Sequence, residues 1–233
     1  MGRRPKEVPL LTVDQIIDET IACIDEHGLE AFTMRRLAAR MGVYSSAIYW
    51  HVSSKARLLA LASTRLVDKL PAHDEGTDWR VWLVQAARQV RSTMHEHANF
   101  APVFGSQLSV DVGAAAPFIE AVLTVLRRTG LDESRVVDAF NAYIGLVLGW
   151  VSMELSTQPE GAHGEEAPGH SVQDQLRALR AEEQPNLVEL IPRLSNHAFM
   201  MRWDPGRTNP LDSSFDFVIE TFIAGLERRV PGG

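Results

Sequence analysis

The chain has 233 residues, with 23 Lys+Arg against 30 Asp+Glu, a formal net charge of −7, 45% hydrophobic residues and one cysteine. That length and apolar content support a sizeable core and argue against wholesale disorder. A single Cys excludes an intramolecular disulfide framework or a Cys-rich zinc module and suits a reducing compartment. With no apolar run near the roughly 20 residues of a membrane span, and no signal-peptide core after Met-Gly-Arg-Arg-Pro-Lys, we expect a soluble, cytoplasmic protein with no membrane partner. Net acidity alone argues against a polyanionic partner, yet the charge is unevenly placed. Residues 1–58 carry eight basic and seven acidic side chains, the remainder 15 and 23.

In chain order the pattern is helical. Val13, Ile16, Ile17, Thr20, Ile21 and Ile24 fall on one face of a first helix that Gly28 should stop. Thr33 is a good N-cap for a short second helix through Met41, ended by Gly42. Ser45 or Ser46 can cap a third helix through His51, and Ser53 or Ser54 a fourth from Lys55 to Leu70, with Pro71 at its end. Beyond it, helices are predicted from Asp78 to His95, Ala114 to Arg128, Glu133 to Leu155, Val172 to Ala181, Leu187 to Phe199 and Ser213 to Arg228. The Gly-, Pro- and Glu-rich stretch from Ser156 to His170 reads as a mobile loop. No useful strand-like alternation and no internal repeat is present, so the fold class is all-α. We expect an N-terminal domain over 1–58, a connecting helix over 55–70, and a second domain over 71–233.

A short helix, a Gly-containing turn and another short helix form the layout of a helix-turn-helix, whose second helix enters the DNA major groove. In the third predicted helix Ile48 supplies the obvious core anchor, while Tyr44, Ser45, Ser46, Tyr49, Trp50 and His51 spread around the remaining surface. Such side chains can donate to phosphates or press against thymine methyl groups. A connecting helix with packing aromatics is the alternative on pattern alone.

The stretch Thr33-Met-Arg-Arg-Leu-Ala-Ala-Arg-Met-Gly-Val-Tyr-Ser-Ser-Ala-Ile-Tyr-Trp-His-Val-Ser-Ser-Lys55, followed by Leu58-Leu59, resembles the DNA-binding domain of the tetracycline-repressor (TetR) family. The resemblance implies a ligand-responsive repressor. It would bind a palindromic double-stranded DNA operator as a homodimer. Arg35 matches an arginine able to reach a guanine edge; Ser45, Ser46, Ala47 and Trp50 fall at base-proximal positions, and Thr33, Tyr49, His51 and Lys55 at phosphate-contacting ones. Lys55 also sits at a predicted helix N-terminus, where the dipole favours a phosphate. Arg3, Arg4 and Lys6 make either a minor-groove arm or a frayed tail. Ala47 stands where the family often has Thr, and Ser46 where Gly or Pro is frequent, so no relative's operator sequence is transferable.

Family members pair their last two long helices with those of a mate. By that resemblance the dimer interface comprises Gly145, Gly149, Phe215, Val218, Ile219, Phe222, Ile223 and Leu226. Two recognition helices then read half-sites ~34 Å apart. Residues 78–130 also look, more loosely, like the tetracycline-repressor C-terminal domain. An effector pocket for an apolar or aromatic molecule is expected around Trp82, Met94, Phe100, Phe104, Phe118, Tyr143, Trp150 and Met153, with Phe199, Met200, Met201 and Trp203 beyond the loop. The same residues at helical spacing also read as ordinary core. The histidine that holds a magnesium–tetracycline chelate in tetracycline repressors falls nearest Phe104, and His95 and His97, two apart, make a poor metal pair. No metal site, cofactor or catalytic residue is expected: phosphate loops, His-Glu-x-x-His and Gly-x-Ser-x-Gly are lacking. Cys23 reads as a buried small hydrophobe. A helical interaction or small-molecule-binding bundle without a DNA role is the alternative, although it gives no reason for Tyr-Trp-His beside Lys55.

Overall fold

The structure, a computed structural model, describes residues 11–67, 71, 76–103, 112–156, 177–194, 198 and 211–230, with the backbone alone at 112–115. The expected basic arm, the loop beyond Ser156, Phe104 and residues 199–203 lie outside the described residues. Regular structure among the described residues is helical: α1 (Val13–His27), α2 (Met34–Met41), α3 (Ser45–His51), α4 (Lys55–Val67), α5 (Trp79–Glu96), a 3-10 turn (Ala98–Phe100), α6 (Val112–Arg127), α7 (Glu133–Leu155), α8 (Pro185–Leu194) and α9 (Asp212–Glu227). Two compact units emerge from the contacts, one within Met1–Ala72 and Glu96–Val122, the other within His73–His95 and Leu123–Gly233.

The first unit contains α1 to α4. A reciprocal capping box between Thr12 and Gln15 starts α1, and Gly28 ends it at φ 80°. The Thr33 hydroxyl accepts from Arg36 N at 3.1 Å to start α2. Gly42, left-handed at φ 68°, closes that helix and turns the chain toward α3. The expected Ser45 or Ser46 cap is corrected: Tyr44 is the N-cap, without a side-chain cap bond, because the turn after Gly42 is one residue shorter. Both serines therefore lie within the first turn of α3. Ser54 caps α4 as expected, its hydroxyl accepting from Arg57 N at 3.1 Å. Ile16, Ile17, Cys23, Ile24, Phe32, Leu37, Ile48, Val52 and Leu58 are buried. Only Ile48 is buried within α3.

The acidic face of α1 binds its neighbours. Arg40 of α2 bonds Glu19 at 2.7 Å and also pairs with Glu26, while Arg65 of α4 pairs with Asp14 and reaches Asp18 at 3.1 Å.

In the second unit, α5, α7 and α9 surround a core that includes Trp82, Leu83, Tyr143, Val147, Val151, Phe215 and Ile219. The Tyr143 hydroxyl donates to Leu83 O at 2.7 Å. Glu154 is fully buried and accepts from Arg91 Nε at 2.8 Å, Arg91 Nη2 at 2.9 Å, Trp150 Nε1 at 2.9 Å and His95 Nε2 at 2.8 Å. Burial pushes this carboxyl up, but those donors outweigh burial and hold it below the ordinary carboxylate value. Contrary to the sequence reading, α7 is long and apolar enough to cross a membrane by length and composition. Its inward face nevertheless packs on α5 and α9 and carries Glu154, as expected of a helix serving a protein core. Of α8, no residue is buried.

Two outcomes are expected. Ile48→Ala should lower stability by about 2–5 kcal/mol in urea unfolding, whereas Tyr44→Ala or Trp50→Ala, on the surface, should change it by less than about 0.5 kcal/mol. A depressed carboxyl contributes stability above its unfolded value and loses it as pH falls through the folded one. Glu154→Gln should therefore melt below wild type at pH 7, and the gap should close as pH drops below about 4.3.

Candidate nucleic-acid interface and effector body

With Ile48 fully buried, the remainder of α3 is fixed by helical geometry: Tyr44 and Trp50 are 86% and 90% exposed and Tyr49 47%. Ser46 and His51 are also exposed, and Ser45 and Ala47 half-buried. Thr33, Arg35 and Lys55 are exposed on the adjoining elements, so none of the ten residues expected at the DNA surface is buried. The rings of Tyr44 and Trp50, held in water by the helix, bury little within the protomer, and they offer stacking and methyl contacts to a groove.

The basic residues around α2 separate into two kinds. Arg36 donates to Ala31 O at 3.1 Å and Arg40 is taken up by α1, while the adjacent Arg35 is exposed. Lys55 starts α4 as the sequence suggests, but its ammonium donates to Phe32 O at 2.7 Å and lies 5.3 Å from the Phe32 ring centroid. It thereby ties α4 to the loop before α2. Two of its three N–H groups remain for a phosphate.

The expected effector residues divide between the units. Trp82, Met94 and Tyr143 are buried in the second unit, with Trp150 half-buried and Met153 51% exposed; Phe100 and Phe118 are buried in the first. Trp150 lies 6.1 Å from the Phe215 ring, over which the Arg91 guanidinium sits at 5.0 Å. None of these seven lines the groove of about 370 Å³ between α7 and α9, which is bounded by Leu131, Arg135, Ala139, Phe222, Leu226 and Arg229 among others.

The residues expected at the interface divide by their exposure in the protomer. Phe215, Ile219, Ile223 and Leu226 are 0%, 1%, 8% and 5% exposed, so the apolar stripe of α9 serves the protomer's own core. Val218 and Phe222 are half-buried, and Gly145 and Gly149 exposed, with open space where a Cβ would stand. Phe217, which the sequence reading passed over, is 68% exposed, as are Val137 at 55% and Met153.

Sequence reasoning also missed the Glu154 cluster, whose His95 and Arg91 partners lie 59 and 63 residues away, and a contact of His97 Nδ1 with Asp25 Oδ2 at 2.7 Å. His95 and His97 each bond a different carboxylate.

Comparison with known proteins agrees with this geometry. Residues 16–62 match the model of bacterial regulatory proteins of the tetR family, and residues 70–230, more than half the chain, match the tetracyclin repressor-like C-terminal domain. The HTH-type transcriptional repressor DrrR1 of Streptomyces coeruleorubidus is 27% identical over 230 residues, covering 97% of this chain and 82% of that protein. Among solved structures, the Streptomyces coelicolor TetR family protein ActR in complex with actinorhodin has a TM-score of 0.75 at 22% identity over 97% of this chain and 99% of its own. BioQ with its double-stranded DNA operator has a TM-score of 0.56 at 24% identity over 64% and 90%. An all-helical chain whose N-terminal three helices present one anchored recognition helix, and whose two halves match both parts of one family, belongs to the tetR family of bacterial regulatory proteins.

Proposed function

We propose that this DNA-binding regulator is a cytoplasmic repressor, bound as a homodimer to a palindromic operator and released by a small apolar or aromatic effector. One observation carries the DNA-reading surface: Tyr44 and Trp50 stand in water around a fully buried Ile48. Arg35 and Trp50 read bases, with Ser45, Ser46 and Ala47 beside them, and Thr33, Tyr44, Tyr49, His51 and Lys55 position the head on phosphates. A partner chain would pack on Gly145, Gly149, Phe217, Val218 and Phe222, the small and apolar residues the protomer leaves at least partly uncovered. The effector pocket belongs to the body around Trp82, Tyr143 and Trp150. Ligand-complexed ActR supports a body that takes small molecules, and the effector acts only through its differential affinity for two states of the dimer. The work is binding; no catalytic step is assigned to the chain.

Selection of bound duplexes from a random pool should enrich a palindromic motif, with affinity falling steeply as salt rises. Arg35→Ala should cost about 1–3 kcal/mol and relax one position of each half-site. Trp50→Ala should likewise weaken specific binding. No enrichment at any salt would favour a helical bundle without a DNA role. Light scattering should give a dimer at micromolar protein; a monomer overturns the paired reading.

A further inference from the structure

The side chains of α3 lack the groups that distinguish bases by paired hydrogen bonds. From Ser45 to His51 the helix contains no Arg, Lys, Asn, Gln, Asp or Glu. Bidentate recognition of guanine needs an Arg or Lys, that of adenine an Asn or Gln, and the cytosine amino group is read by a carboxylate. The guanidinium fork available to this surface is on α2 instead, at the exposed Arg35. What α3 offers to a groove is two serine hydroxyls, a methyl, aromatic rings and an imidazole.

Helical phase ranks these groups. Successive residues turn by about 100°, so with Ile48 fully buried, Ser46 and Trp50 fall on the opposite face, one turn apart. Ala47 and Tyr49 stand about 100° to either side of Ile48. Ser46 is exposed, Ala47 half-buried and Trp50 90% exposed. The Ser46 hydroxyl both donates and accepts, so by itself it does not choose between bases. The Trp50 indole has one N–H donor and a large apolar face, and Ala47 ends in a methyl. On the base edges of the major groove the apolar group is the C5-methyl of thymine. Covering that methyl removes it from water and raises affinity by about 4-fold. The same cover laid over a cytosine gains no methyl and desolvates an amino group.

We propose that the operator half-site is read through thymine C5-methyl groups: Trp50 and Ala47 are specificity-determining residues that select thymine at the base pairs they cover, while Arg35 selects guanine at another position. The inference rests on the DNA-binding reading above and adds the chemical class of half-site. A 5-methylcytosine, which carries its methyl at the same place in the groove, substitutes at those positions better than cytosine does.

The methyl is tested on the DNA, with the full chain unaltered and anisotropy at fixed salt as readout. Deoxyuridine replaces thymidine in the selected duplex, one symmetric pair of positions at a time, removing the methyl and keeping the base pair. Kd should rise by about 4-fold per methyl, roughly 15-fold for a pair, at one or two positions of each half-site and by less than about 1.5-fold elsewhere. At those positions 5-methylcytosine should bind about 4-fold tighter per methyl than cytosine. In Trp50→Ala, shown to be folded by circular dichroism, the uracil penalty at one position should fall below about 1.5-fold. Arg35→Ala should weaken binding and keep the penalty. If no uracil substitution weakens binding, if the penalty is undiminished in Trp50→Ala, or if the selected half-site has no constant thymine, recognition runs through DNA shape or other contacts and the proposal is wrong. Failure to select any duplex would instead remove the DNA-binding reading on which it stands.

Discussion

The reading head depends on the burial of one isoleucine. A helix of seven residues has no independent stability in water, since nucleation is unfavourable and few hydrogen bonds follow it. What holds α3 in place is the complete burial of Ile48 and the packing of α3 on α2, with the buried Val52 closing the helix behind it. Because helical positions are locked in phase, fixing Ile48 fixes the direction of every other side chain on α3. Tyr44, Tyr49 and Trp50 are consequently turned outward at a hydrophobic cost that the head's own packing does not recover. A surface that presents aromatic rings in this way is organised for a partner.

Charge follows the same division of labour. Of the seven acidic residues in the first 58, five lie on α1, and each has a basic partner within the head: Asp14 and Asp18 on Arg65, Glu19 and Glu26 on Arg40, Asp25 on His97. Four carboxylates that would repel a phosphate backbone, Asp14, Asp18, Glu19 and Glu26, thus face guanidinium charges where they brace the helices, while Arg35 is exposed beside the recognition helix. A net charge of −7 is compatible with DNA binding because its sign varies with position.

The parts of this architecture set by local chemistry were legible in the sequence. Thr33 and Ser54 cap, Gly28 and Gly42 terminate, and α7 begins and ends at Glu133 and Leu155, as the periodicity predicts. Apolar spacing tells which face of α9 is buried but not against what: Phe215 and Ile219 fill the protomer's own core, and the spacing does not separate that from burial against a partner. Phe217, off the stripe, gave no periodic signal and is the ring left outside. The Glu154 and Asp25 contacts join residues some 60 to 70 positions apart, and no local pattern marks such pairs. Pocket residues were ambiguous for a related reason: Trp82 and Met94 are fully buried, which is what both a core and a closed cavity require of such side chains.

Cys23 sits in this head at 1% exposure, its thiol pushed above the ordinary value by burial. It is also the chain's single sulfhydryl. An alkylating reagent can therefore label the native protein only when α1 lifts from its core, and each labelled molecule records one such opening. The protein carries an intrinsic chemical clock for the integrity of its DNA-binding half, insensitive to local breathing elsewhere in the chain.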